Sequence, residues 1–146
     1  MIIISRWKNL NTCWQNVGLL KKVQIKNSFQ DIENLIGFQL PDDYRYYLNN
    51  YEQFEGFIGE EYLALYGNDE LLELNAIHET EDYASNTISI GCNGASENIG
   101  IKSINEHDHR VVIAQYIHDT GDHIEIGVSF TDMIKRLNEG IEWFNS

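Results

Sequence analysis

A single proline, two cysteines and ten basic residues are all that 146 residues hold of three kinds of side chain. Two cysteines, Cys13 and Cys92, are too few for a disulfide framework, so reduced thiols and a cytoplasmic setting are expected. Long apolar runs are missing too. Met1-Ile2-Ile3-Ile4 is too short for a signal segment, and nothing approaches the ~18 apolar residues of a membrane span, so no membrane partner is expected. The shortage of cations leaves a net charge of −13. Such a field repels nucleic acid and anionic lipid and attracts basic proteins; a solvated acidic surface with no partner fits the composition equally well.

Signatures of catalysis are scarce as well. Gly91-x-x-Gly94 lacks the spacing and the lysine of a phosphate-binding loop, and no serine sits in a nucleophile elbow. Cys92 lies in a glycine-bearing turn, where a small cysteine is more often packed than nucleophilic. His107-x-His109 and His118-x-x-x-x-His123, with Asp108, Asp119 and Asp122, are the one arrangement that suggests a metal-dependent enzyme. Neither spacing is a structural-zinc pattern, and residues flanking turns are polar in any case. The expectation is no catalytic residues, no metal and no cofactor: a protein that is not an enzyme.

What is present argues for a folded body. Hydrophobic residues make up 42% of the chain and aromatics 12%, too many for a disordered acidic segment. No repeat, low-complexity tract or linker interrupts residues 1–146, which read as one domain. The stretch 28–48 sets the pattern. Phe29, Ile32, Leu35 and Ile36 share a helical face, Ser28 is placed to cap it, and Gly37 suits the left-handed position past its end, from which Phe38 can fold back onto Ile32. Pro41 fits the first position of a second helix, with Asp42 and Asp43 at the positive end of its dipole. Tyr44, Tyr47, Leu48 and Tyr51 make an apolar stripe along it.

The flanks are read in the same way. Upstream, Trp7, Leu10, Trp14 and Val17 keep helical spacing in a stretch that holds Arg6, Lys8, Lys21, Lys22 and Lys26. Downstream, residues 61–66 read as a strand central in its sheet. Asn68 or Asp69 caps a helix with Leu71, Leu74 and Ile77 inward and Glu70 and Glu73 outward. Residues 87–90 form a strand that can pair with one through Ile99 and Ile101; 111–117 and 123–128 form two more, with Ile124, Ile126 and Val128 buried. Ser129 or Thr131 starts a last helix whose core stripe is Phe130, Met133, Ile134, Leu137, Ile141 and Phe144. The fold class is α+β: a mostly antiparallel β-sheet with helices packed against it.

Glu33-x-x-x-Gly37-x-x-Leu40-Pro41-x-x-Tyr44-x-x-x-Leu48 resembles the opening motif of the SUKH superfamily, which includes fungal cell-wall-synthesis regulators and many bacterial immunity proteins of polymorphic toxin systems. Ile90-Gly91 followed by Gly94 and Glu97 is similar to that superfamily's glycine-rich turn. Val128-Ser129-Phe130-x-x-Met133-Ile134 is similar to its lead into the last helix, and the resemblance covers residues 28–137. Two departures stand out. Residues 49–56 intervene where Asn-Gly often follows the Leu-Pro helix, and Cys92, Asn93, Ala95 and Ser96 interrupt the turn. The resemblance implies an immunity protein that neutralises a cognate, basic (nuclease-type) bacterial toxin by stoichiometric occlusion, with a regulatory scaffold of the cell-wall type as the alternative.

Charge narrows where such a partner would sit. Between Tyr46 and Ile101 there is no lysine or arginine, while eleven acids appear. Tyr51-Glu52-Gln53-Phe54-Glu55-Gly56-Phe57 interleaves aromatics with carboxylates, a mixture suited to a buried contact with a charged rim. The expected contact residues are Tyr51, Glu52, Phe54, Glu55, Phe57, Glu60, Glu61, Asp69 and Glu70. The competing expectation puts these aromatics in the core and leaves the acids idle.

Overall fold

The computed structural model describes residues 29–51, 53–79, 86–115 and 123–144, with the backbone alone for Asp69 and 77–79. The expected cap Ser28, the helical spacing at Trp7–Val17 and Cys13 lie outside the described residues. Helix α1 (Gln30–Ile36) ends as its sequence dictates: Gly37 takes φ 82°, and its N–H donates to the Glu33 carbonyl. An L side chain there would meet its own backbone, so glycine is the residue that lets the chain turn. Phe38 then packs against the core, its ring 6.0 Å from that of His109.

Helix α2 (Asp42–Asn50) starts one residue later than expected. Pro41 is its N-cap, with φ −62° and ψ 149°, and Asp42 is the first helical residue. The proline ring still costs no hydrogen bond there. The stripe forms as read: Tyr44, Tyr47, Leu48 and Tyr51 are all buried. Their partner is Phe130, whose ring lies 5.1 Å from Tyr44 and 5.4 Å from Tyr47.

The sheet holds β1 (Phe54–Ile58), β2 (Glu61–Leu65), β3 (Thr87–Cys92), β4 (Asn98–Asn105), β5 (Asp108–Ala114) and β6 (Ile124–Gly127). They lie side by side in chain order, each antiparallel to the next. Register stacks the β-branched residues: Ile88, Ile101 and Val111 stand opposite one another, as do Ile99 and Ile113, and all five are buried. Helix α3 (Asn68–Glu79) is inserted between β2 and β3 and packs on β3 and α1. Helix α4 (Phe130–Asn138) packs against β1, β5 and β6, so it touches both end strands and the sheet curls around it.

Several expectations are corrected. Residues 54–58, to which the sequence reading gave no element, are a strand joined to β2 through Gly59 and Glu60. Strand β5 begins at Asp108, three residues early, because Lys102 and Ser103 of β4 pair with Arg110 and His109. Ile124 and Val128 are exposed, and only Ile126 of that trio is buried. A register shift at Val111/Val112 resets the inward phase of β6. Helix α4 stops at Asn138, and beyond the Gly140 turn it is Trp143 rather than Phe144 that fills the core.

Gly91 marks the tightest approach in the sheet. A Cβ on it would run into the Ala64 carbonyl oxygen, on a rung where β2 and β3 pair only through Ala64↔Cys92 and Leu65↔Gly91. Gly91→Ala therefore forces the two strands apart, and the expected cost is about 2–3 kcal/mol. A urea titration reads it as a lower midpoint; an unchanged midpoint would show that the strands part freely at this rung.

Candidate partner-binding surface

Strand parity decides which residues of 51–70 can meet a partner. In β1 the burial alternates so that Phe54 and Ile58 point inward while Glu55 and Phe57 point out. The register sets Phe57 opposite Tyr62 and Glu55 opposite Ala64 on the outer face of β1–β2. The Phe57 side chain is 67% exposed. Its ring meets Tyr62 edge-on, with centroids 5.4 Å apart and planes at 79°, a favoured aromatic geometry. The Tyr62 hydroxyl donates to the Glu55 carboxylate, and that bond is the first cause that raises the Tyr62 pKa above its ordinary value.

The turn after β3 borders this face, with Gly94 against the Tyr62 ring. There the Asn93 side-chain amide donates to Glu97 at 2.9 Å, and the Ser96 hydroxyl does the same at 2.9 Å. These two bonds, Asn93 first, hold the Glu97 carboxyl below its usual range.

The other expected contact residues go elsewhere. Tyr51 and Phe54 are 5% and 4% exposed and belong to the core; a ring with no free surface cannot anchor a partner. Glu61 accepts the Trp143 backbone N–H at 2.8 Å, which ties the end of the described chain to β2. Glu70 accepts the Gly67 N–H at 3.1 Å and caps α3. Glu60 is exposed in the β1–β2 turn. Glu52 and the Asp69 side chain lie outside the described residues. Of the nine, the structure brings Glu55 and Phe57 together and adds Tyr62, which sequence reasoning had assigned only to a strand.

Two buried polar residues were missed. Asp43 is 6% exposed, and its Oδ2 accepts from the Thr131 N–H at 2.9 Å and the Thr131 hydroxyl at 2.8 Å, while Oδ1 accepts from the Tyr44 N–H at 2.8 Å. Asn75 donates to the Ser89 and Leu71 carbonyls at 3.0 and 2.8 Å and accepts from the Ser89 N–H at 2.8 Å. It stands in for a strand neighbour where β2 has turned away from β3. Its position four residues after Leu71, on the same helical face, was the available signal.

A cleft of about 640 Å³ opens between the Gln39–Asp43 link, the β4–β5 hairpin and residues 128–130. His109 Nε2 lies 3.3 Å from the Gln39 carbonyl oxygen, and Arg110 is held by Asp108 and by Glu125 at 3.0 Å. The expected metal-type residues divide here: His107, Asp108 and His109 are in or beside the hairpin turn, His123 precedes β6, and His118, Asp119 and Asp122 lie outside the described residues. Among the described residues no group of three His, Cys, Asp or Glu side chains is placed to hold a metal ion, and no helix is long and apolar enough to cross a membrane.

An antiparallel sheet backed by helices, with an aromatic pair and a carboxylate on one open face, defines a small α+β domain with a surface suited to protein contact. The residues that carry the sequence resemblance build its frame. The Glu33 carboxylate accepts the Leu40 N–H at 2.7 Å and lies 3.7 Å from Arg45, closing the link between α1 and α2. The chain belongs to the SMI1 / KNR4 family (SUKH-1), whose family model matches residues 26–136. A search of the curated proteins finds no match.

Proposed function

We propose that this protein is a cytoplasmic immunity protein that binds a cognate basic toxin of the nuclease type and blocks it by occlusion, one to one and without turnover. Membership of the family fits an immunity or a regulatory role. The observation that favours toxin binding is the cation-free stretch from Tyr46 to Ile101. It spans β1, β2, α3 and β3, of which the three strands lie side by side, so these elements bring acids and no lysine or arginine to the surface they share. A toxin that cuts nucleic acid must neutralise phosphates with a basic groove. An acidic face can fill that groove, and steering raises the association rate by roughly 10- to 1,000-fold.

The test is calorimetry against the protein encoded beside this gene. A tight one-to-one complex is expected, weakening as salt rises. The double reversal Glu55→Lys, Glu60→Lys is expected to weaken it by at least about 10-fold, as like charges now face each other. Both side chains are exposed, and the reversal removes only the Tyr62 hydroxyl bond to Glu55, so the fold is expected to persist. Binding that ignores both salt and the reversal would remove the acidic face from the account.

A further inference from the structure

We infer that the Glu55–Phe57–Tyr62 face receives an arginine side chain of the partner, in preference to a lysine. The inference rests on the basic-partner reading and names the group that would be recognised. Phe57 is the most exposed large apolar side chain among the described residues. It stands edge-on to Tyr62, so one of the two rings keeps both of its faces clear of the other. A guanidinium is planar and weakly hydrated, and can lie on a ring face while its N–H groups reach a carboxylate. The carboxylate is at hand: Glu55 shares the outer face, fixed by one bond from the Tyr62 hydroxyl, with lone pairs left to accept more. Ala64, opposite Glu55, adds only a methyl group to this face.

Charge complementarity points the same way. No lysine or arginine lies between Tyr46 and Ile101 to compete for this face. The described arginines are engaged elsewhere: Arg45 with Glu33 and the Phe29 ring, Arg110 with Asp108 and Glu125, Arg136 with Asp132. An ammonium is a compact, strongly hydrated point charge, so it would use Glu55 and little of the rings.

The test titrates the full chain with two short peptides of equal length and charge, one alternating arginine and glycine, the other lysine and glycine. Calorimetry at physiological salt is expected to show the arginine peptide binding about 5-fold more tightly, the size of effect a ring contact and a two-point carboxylate bond give at an exposed site. Phe57→Ala and Glu55→Gln should each bring the two peptides to near parity, while Glu73→Gln, an exposed acid on α3, should weaken both alike and leave their ratio unchanged. Equal binding of both peptides overturns the arginine niche and leaves the basic-partner reading standing. Failure of both peptides to bind overturns that reading too. A preference that survives Phe57→Ala places the arginine elsewhere and overturns the assignment. A preference that emerges only when Arg6, Lys8, Lys21, Lys22 and Lys26 are replaced by glutamine gives the niche to the chain's own cations, and overturns the partner as its occupant.

Discussion

Asp43→Ala is expected to lower the stability of the fold by about 3–5 kcal/mol, the cost of stranding buried donors that had a charged acceptor. The side chain joins the first turns of α2 and α4, elements 88 residues apart in the chain. Each helix start carries N–H groups with no partner inside its own helix and the positive end of a dipole. One carboxylate answers both, accepting from Tyr44 in α2 and from Thr131 in α4. Asp43→Asn keeps the shape but turns an N–H toward one of those donors, so roughly half the loss is expected. Thr131→Val removes only the hydroxyl bond, at about 1–1.5 kcal/mol. Urea unfolding checks all three, and Asp43→Ala with a native midpoint would mean that the two helices are held by ring packing alone.

Asn75→Ala is expected to cost about 2–4 kcal/mol, because it leaves the Ser89 N–H and C=O buried without partners in a sheet that cannot re-form around them. Strand β2 pairs with β3 only at Ala64↔Cys92 and Leu65↔Gly91, with Tyr66 donating once more to the Ile90 carbonyl. Below that point the edge of β3 at Ser89 depends on one side-chain amide. Hydrogen exchange gives a local readout: the Ser89 amide should lose its protection in Asn75→Ala while Ile101 and Val112, in the middle of β4 and β5, keep theirs. Protection at Ser89 in the variant would show that another group takes over.

Helix α2 was legible because its information is local. Tyr44, Tyr47, Leu48 and Tyr51 recur at the helical period, and the core accepts all four. The stop at Gly37 and the start at Ser129, whose hydroxyl accepts the Asp132 N–H, are equally short-range. Strand β1 was not legible, since its inward row contains Gly56 and its outward row contains Phe57, which blurs the apolar alternation on which a strand reading depends. The contact residues inherited that error: Phe54 and Phe57 look alike in a list, and only strand phase separates core from surface. Asp43 stands in the first turn of its helix as expected, but its bonds to Thr131 were not legible, for a related reason. An acid in the first turn of a helix has the same local appearance whether it faces water or a second helix, and Thr131 is far away in sequence. Glu33, Gly37, Leu40 and Tyr44 spoke to family because they build the link between α1 and α2, so what they reveal is architecture; the contact face proposed above is the outer face of β1–β2, where those residues are absent.

Helix α4 reaches both ends of the sheet, and it is made after all six strands. A nascent chain therefore waits on the ribosome with Tyr44, Tyr47 and Ile58 bare until residues 130–138 emerge. During that interval Glu55 and Phe57 sit on a ribbon that α4 does not yet back, so the proposed contact face is not yet rigid. In the proposed role the binding face is complete only once α4 has joined the strands, which favours a standing stock of folded protein over synthesis on demand.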